Sequence, residues 1–241
     1  MPYAYLFLLL ILSVGIFLSV KTQKLTLPAA LTGGIVAICI FAGAGFTGIA
    51  MLAAFFVFGS VATSWKIKKK EQLFLVEKNE GRRTTSQVLA NAGAAGIVGL
   101  LSLILTAERQ LFELMIAASF ASATADTLSS EMGNVYGKNF YNSISFKKDK
   151  RGLDGVISTE GTLFGFAGAL IIACIFSILR GFNQSFFTIT ISGLAGNVFD
   201  SILGASLQRK GYLNNNSVNF LNTAFAAILS LVLFEILQRV T

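Results

Sequence analysis

Apolar runs of about 17–25 residues, the length that crosses a bilayer as a helix, recur along almost the entire chain. Eight are expected as spans, near Ala4–Val20, Ala29–Gly45, Thr47–Ser64, Val88–Thr106, Leu111–Leu128, Gly161–Leu179, Phe186–Leu207 and Val218–Gln238. A soluble domain carries about 25% charged residues, whereas this chain of 241 residues has 13%, with 54% hydrophobic and a mean hydropathy of +0.70. The expected fold class is therefore all-α, a polytopic membrane helix bundle forming one integral membrane domain over residues 1–241. Stretches such as "ANAGAAGIVGL" point to Gly/Ala-rich packing between helices. The first run lacks a basic flank and a small-residue cleavage site, so it is expected to stay as a span.

Charge sets the expected orientation. With eight spans, alternate connections (21–28, 65–87, 138–160 and 208–217) hold sixteen of the nineteen Lys and Arg. Positive loops stay cytoplasmic, which predicts cytoplasmic loops near 65–87 and 138–160 and both termini non-cytoplasmic. The net charge of +7 then reflects topology and an anionic partner rather than nucleic acid, although solvated, lipid-facing basic loops account equally well for individual lysines. Cys39 and Cys174 lie in different spans and have no metal-ligand spacing. The absence of His removes Ser-His-Asp and Cys-His chemistry and His-based zinc sites.

The acids narrow the chemistry. Glu113 and Glu235 lie near outer span ends and are expected to reach the interface. Asp126, Glu131 and Asp200 are placed at or just above the inner ends of their spans, where an acidic group in a helix costs about 2.5–3.5 kcal/mol on insertion scales. A carboxylate near a helix C-terminus also opposes the helix dipole, and a cation would relieve both penalties. Asp126 and Ser130 share a helical face; Glu131 joins them if the last turn unwinds at Gly133, read as a C-cap. Gly193, Asn197, Asp200 and Gly204 form a small and polar face of the seventh span. Gln87 with Asn91, and Asn219 with Asn222 and Thr223, add polar groups at the inner starts of the fourth and eighth.

Four spans thus present polar groups at one depth. Such a cluster suits a hard cation, Mg²⁺, held by carboxylates and substrate phosphates. Phosphate-binding cations are available in Arg82 and Arg83 of "EGRRTTSQ" and in Lys147, Lys148, Lys150 and Arg151 of "KKDKRGLDG". Gly81, Gly152 and Gly155 permit close backbone approach. Phosphoryl transfer requires mainly positioning and charge neutralisation, so it needs no His. "GAGFTG" (43–48) fits G-x-G-x-x-G but follows a membrane span, and is read as a Gly-rich turn. Trp65 is read as an interfacial anchor. An Asp near the inner end of both the fifth and seventh spans hints faintly at a parallel repeat.

The elements "EGRRTTSQVLANAG", "SFASATADTLSSEMG", "GLDGVISTEGTLFG" and "GLAGNVFDSILGASLQ" followed by "SVNFLNT" resemble an integral-membrane family that includes plant phytyl-phosphate kinase. The resemblance runs from about Gly33 onward and rests on the combination of ADT-x-x-SE with G-N-x-x-D-S-x-x-GA. It implies transfer of the γ-phosphoryl group of a nucleoside triphosphate, CTP, to an isoprenoid monophosphate. Asp126, Glu131 and Asp200 fall on the family's acidic positions, and Arg82, Arg83, Gln87 and Asn91 on its Gly-Arg and Gln-Val-x-Ala-Asn element. After the fifth span the chain departs from the family's Pro-x-Gly-Thr-x-Gly-Gly-Val stretch, lacking the Pro and one Gly and adding Asp154 and Glu160.

Taken together, Asp126, Glu131 and Asp200 are expected to act as the catalytic and metal-binding set for Mg²⁺. Arg82, Arg83, Gln87, Asn91, Ser130, Lys147, Asn197 and Asn222 are expected to contact CTP or the prenyl monophosphate, whose tail lies among the helices. A CTP-dependent lipid cytidylyltransferase is the alternative enzyme. A transporter fits less well, because transporters place their sites near mid-bilayer.

Overall fold

The computed structural model describes residues 2–73, 82–105 and 109–240. The described residues are mostly helical. The elements are α1 (Pro2–Lys21), α2 (Leu27–Ser64), α3 (Ile67–Gln72), α4 (Thr85–Ile104), α5 (Arg109–Tyr136), α6 (Thr159–Arg180), α7 (Gln184–Leu203) and α8 (Asn215–Val240). A two-residue antiparallel ladder, β1 (Tyr141–Asn142) with β2 (Val156–Ile157), closes the loop between α5 and α6. Seven of these helices are long and apolar enough to cross a membrane.

Those seven helices make eight crossings. A straight helix of the 38 residues of α2 would be about 57 Å long. Yet Lys24 Nζ donates to Ser64 Oγ at 2.5 Å, across 40 residues of sequence. Gly45 makes the reversal: its φ of 56° and ψ of −146° are non-helical and belong to the region that glycine enters without a Cβ clash. The two arms pack face to face, with Ala37 and Phe41 against Ile49 and Leu52. The "GAGFTG" stretch is therefore a turn between two spans.

All connections rich in Lys and Arg meet at one end of the bundle. Trp65 Nε1 donates to Tyr136 Oη at 2.8 Å, Arg83 N donates to Lys24 O at 2.9 Å, and Ser143 Oγ donates to Ser201 O at 2.8 Å. At the opposite end Glu113 is buried rather than reaching the interface, because Arg180 lies 2.7 Å and Arg109 3.5 Å from its carboxylate.

The bundle is built around α5, whose best membrane-length window is 83% buried, against 11% for peripheral α1. Its central run, from Ala117 to Ala125, is entirely buried and contains only Ala, Ser, Thr and one Phe. Small residues are what lipid-embedded helices need for close approach, since no hydrophobic force drives helix against helix there. The neighbours answer with glycines: a Cβ on Gly168 of α6 would lie 2.9 Å from Thr124 O and 3.1 Å from Ala125 Cα. Gly168→Val is accordingly expected to destabilise the bundle by about 1–3 kcal/mol, the usual cost of overpacking. Thermal unfolding of the detergent-purified variant measures this, and an unchanged midpoint would mean that the seam is loose.

Candidate functional site

At the basic end the helix termini surround a polar cavity of about 470 Å³. Its floor comes from α5. That helix runs on to Tyr136 without unwinding, so Asp126, Ser130 and Glu131 reach the cavity from regular helix. Gly133 is not a C-cap, contrary to the sequence expectation. It is a contact point where α6 crosses, and a Cβ there would lie 3.1 Å from Gly161 Cα.

Asp126 and Asp200 of α7 both line the cavity, near enough for their carboxyls to interact. The second carboxyl is held by a buried relay. Asn222 Nδ2 of α8 donates to Asp200 Oδ1 at 2.6 Å, and Ser122 Oγ of α5 donates to Asn222 Oδ1 at 2.9 Å. Asn222 and Ser122 are both fully buried, so Asn222 acts behind the cavity wall rather than on it. Asn197, one helical turn before Asp200, lines the cavity, and Gly165 leaves it room: a Cβ there would lie 2.7 Å from Asn197 Nδ2. Beyond Leu203 the helix widens into a π-helical stretch, Gly204–Gln208, bringing Gln208 to the cavity. Such widenings recur at functional sites.

The start of α4 supplies another wall. Thr84 and Gln87 form a reciprocal capping box, Thr84 N donating to Gln87 Oε1 at 2.8 Å, and Asn91 Nδ2 donates to Gln87 O at 2.9 Å. Both amides line the cavity, as do Arg82 and Arg83. The Arg83 guanidinium lies 5.0 Å above the Phe55 ring, and Gly59 gives it space. Gly81 and the rest of residues 74–81 lie outside the described residues.

Glu131 departs from its expected role. Lys70 Nζ donates to its Oε2 at 2.6 Å and also to the carbonyls of Ala62 (2.7 Å) and Thr63 (3.1 Å), the last turn of α2. All three ammonium protons are thus used, and the Lys70 side chain is only 2% exposed. Among the described residues no three acidic or thiol side chains gather closely enough to share one metal ion. The reason is that Glu131 is turned to Lys70 while Asp126 faces Asp200. The Asp126–Asp200 pair still suits Mg²⁺, which uses one or two carboxylates and takes its other oxygens from water and phosphate.

The cations of the α5–α6 loop also depart from expectation. Lys147, Lys148, Lys150 and Arg151 do not line the cavity. Lys147 is exposed, and Arg151 turns to the Gly137 carbonyl at 2.8 Å and to the Phe140 ring. The loop lines the cavity instead with Phe140 and the run from Gly152 to Ser158, Asp154 included. Gly152 and Gly155 line the cavity at φ of 81° and 68°, and Gly155 sits against the backbone of Ser201 and Ala205. Arg209 straps this segment down, Nε donating to Asp154 O at 2.6 Å and Nη1 to Asp149 at 2.8 Å. The Lys150 N–H and the Arg209 guanidinium hold the Asp149 carboxyl below the usual range. The Asp149 arm of that strap therefore persists through neutral pH and weakens only as acid protonates Asp149, while the bond to the Asp154 carbonyl does not titrate.

Lys70 is the residue that sequence reasoning missed. One lysine among four in "KIKKKE" carries no local sign of burial, and only the fold of α3 against α2 and α5 provides it. Asn215 and Asn219, four apart on α8, also line the cavity.

A family model described as Integral membrane protein DUF92 matches residues 10–227, which contain every cavity residue named above. Protein VTE6, chloroplastic, of Arabidopsis thaliana is 33% identical over 202 residues, covering 81% of this chain. The matched region spans only 61% of that plant protein. An uncharacterized Synechocystis membrane protein, sll0875, is 33% identical over 82% of this chain and 78% of its own. One from Methanocaldococcus jannaschii, MJ0933, is 32% identical over 79% and 77%. No solved structure matches the chain.

Proposed function

The chain belongs to the integral membrane family DUF92, and from that footing we propose that it is a membrane-bound kinase of isoprenoid monophosphates. It moves the γ-phosphoryl group of a nucleoside triphosphate, CTP, onto the prenyl phosphate and yields the prenyl diphosphate. The carrying observation is a single cavity that joins two adjacent carboxylates, Asp126 and Asp200, to a wall holding Arg82 and Arg83. By the positive-inside rule the basic end faces the cytoplasm, where nucleotide is present.

Each group has a task in this reading. A phosphate oxygen of the acceptor attacks the γ-phosphorus in line, the bond to the β–γ bridging oxygen breaks, and the nucleoside diphosphate leaves. The acceptor oxygen is already ionised near neutral pH, so no His is required. Asp126 and Asp200 would hold Mg²⁺, which neutralises charge on the triphosphate. Arg82 and Arg83 take up the remaining negative charge, and guanidinium suits phosphate through paired hydrogen bonds. Gln87, Asn91 and Asn197 offer amides that orient the phosphates, while Ser130 offers a hydroxyl. Glu131 fixes Lys70, which ties the end of α2 to α5 and so holds the cavity's shape.

The test is label transfer with γ-labelled CTP or ATP, Mg²⁺ and phytyl, geranylgeranyl or farnesyl monophosphate. Label is expected in the prenyl diphosphate from CTP. Labelled diphosphate released only when CTP and lipid phosphate are both present would instead indicate cytidylyl transfer. Omitting Mg²⁺ with a chelator is expected to stop turnover; full activity without it would remove Mg²⁺ from the mechanism.

A further inference from the structure

A second cavity, also about 470 Å³, opens on the outer face of α6 beside the polar one. Its lining is almost entirely apolar at the surface: Tyr141, Phe146, Ile157 and Leu163, with Thr159 and Thr162 at the start of α6. Ile157 and Ser158 line both cavities, so a single strand-to-helix junction separates them. We infer that this groove holds the isoprenoid chain of an amphiphilic substrate whose phosphate sits in the polar cavity. The inference rests on the prenyl-phosphate reading above and names where its apolar part lies.

Two features of the surroundings suit that occupant. Along α6 the exposed apolar surface continues from Leu163 (63% exposed) to Phe166 (43%), so a chain leaving the groove runs onto a lipid-facing helix side. Above the groove, the hairpin tip carries Phe146 (73% exposed) and Ile144 (49%) next to Lys147 and Lys148. Apolar and basic side chains side by side are what a loop at the headgroup level presents. Phe146 has φ of 54°, a conformation rare for a bulky residue. Asn142 maintains it: its Oδ1 accepts from the amides of Ile144 and Ser145, and its carbonyl accepts from Phe146 N at 2.9 Å. The aromatic lip is thus held over the groove by a built turn. A polar ligand would gain nothing from this surface, and a lipid without a phosphate would leave the adjoining polar cavity unused.

A farnesyl monophosphate carrying a diazirine at the far end of its chain tests the placement directly on the wild-type protein in detergent. Photolabel is expected in peptides covering 141–146 and 157–166, competed by unlabelled geranylgeranyl monophosphate; label confined to other helices would overturn the inference. Kinetics provide the second arm. Leu163→Trp fills the groove, and the ratio of kcat/KM for geranylgeranyl over dimethylallyl monophosphate is expected to fall about tenfold, the equivalent of nearly two methylenes losing burial. An unchanged ratio in that variant, and in Thr162→Trp should the first fail to fold, also overturns it. Should the wild type phosphorylate no prenyl phosphate at all, the kinase reading falls, while the photolabel still decides whether the groove takes the chain.

Discussion

Asp200→Asn is expected to lower phosphoryl transfer by roughly 10²–10³-fold, the usual effect of removing one electrostatic element of an active site, while leaving the protein folded. The substitution is nearly isosteric, and the retained oxygen still accepts the Asn222 Nδ2 hydrogen bond that fixes the side chain at 2.6 Å in the native protein. What disappears is the negative charge facing Asp126. Turnover of labelled CTP with geranylgeranyl monophosphate, beside a thermal unfolding midpoint, separates the two effects. Near-normal activity would sink the proposed role of the carboxylate pair. A large drop in unfolding midpoint would show instead that Asp200 serves the packing of α5, α7 and α8.

Lys70→Met is expected to have the largest effect on stability, about 2–4 kcal/mol. Removing one partner of a buried ion pair typically costs about 3–5 kcal/mol, and the lower figure allows for Glu131, whose side chain is 24% exposed. Three acceptors lose a donor at once, the Glu131 carboxylate and the carbonyls of Ala62 and Thr63, although Ala62 O still accepts from Trp65 N. The double variant Lys70→Met with Glu131→Leu removes the stranded charge and should recover much of the loss. Unfolding midpoints of the two variants in one detergent provide the comparison. If Lys70→Met unfolds where the wild type does, the clamp carries no weight. Glu131 would then be free to serve the cavity, as its place in the sequence suggests.

These two residues show how far the primary structure reads through to the site. Asp200 was legible because an acid in the last turns of an apolar helix is expensive and needs a partner. Helical spacing also placed Asn197 on the same face. Lys70 was not legible. It sits in a run of lysines where every residue has the same local reason to face water, and its burial arises from α3 folding under the end of α2. The loop cations erred in the opposite direction. Lys147 and Arg151 have the composition of a phosphate loop, but Lys147 stays exposed and Arg151 is taken up by the Gly137 carbonyl and the Phe140 ring. Glu131 was expected to need an unwound helix end at Gly133. The glycine was instead required by the crossing of α6.

What the sequence determined by itself were quantities that add up along the chain. Hydropathy marked the spans, the count of Lys and Arg separated the two ends, and the glycines of "GAGFTG" marked a turn between spans. Each follows from the transfer free energy or backbone freedom of residues taken in order. What the tertiary structure decided were the pairings: Asp126 with Asp200, Glu131 with Lys70, Asn222 behind rather than within the cavity, and an apolar groove sharing a wall with a polar one. Pairings depend on how each helix is rotated about its axis and how closely its neighbours approach. In this bundle Gly and Ala seams along α5 set both, and the hydropathy of a span is unchanged by either.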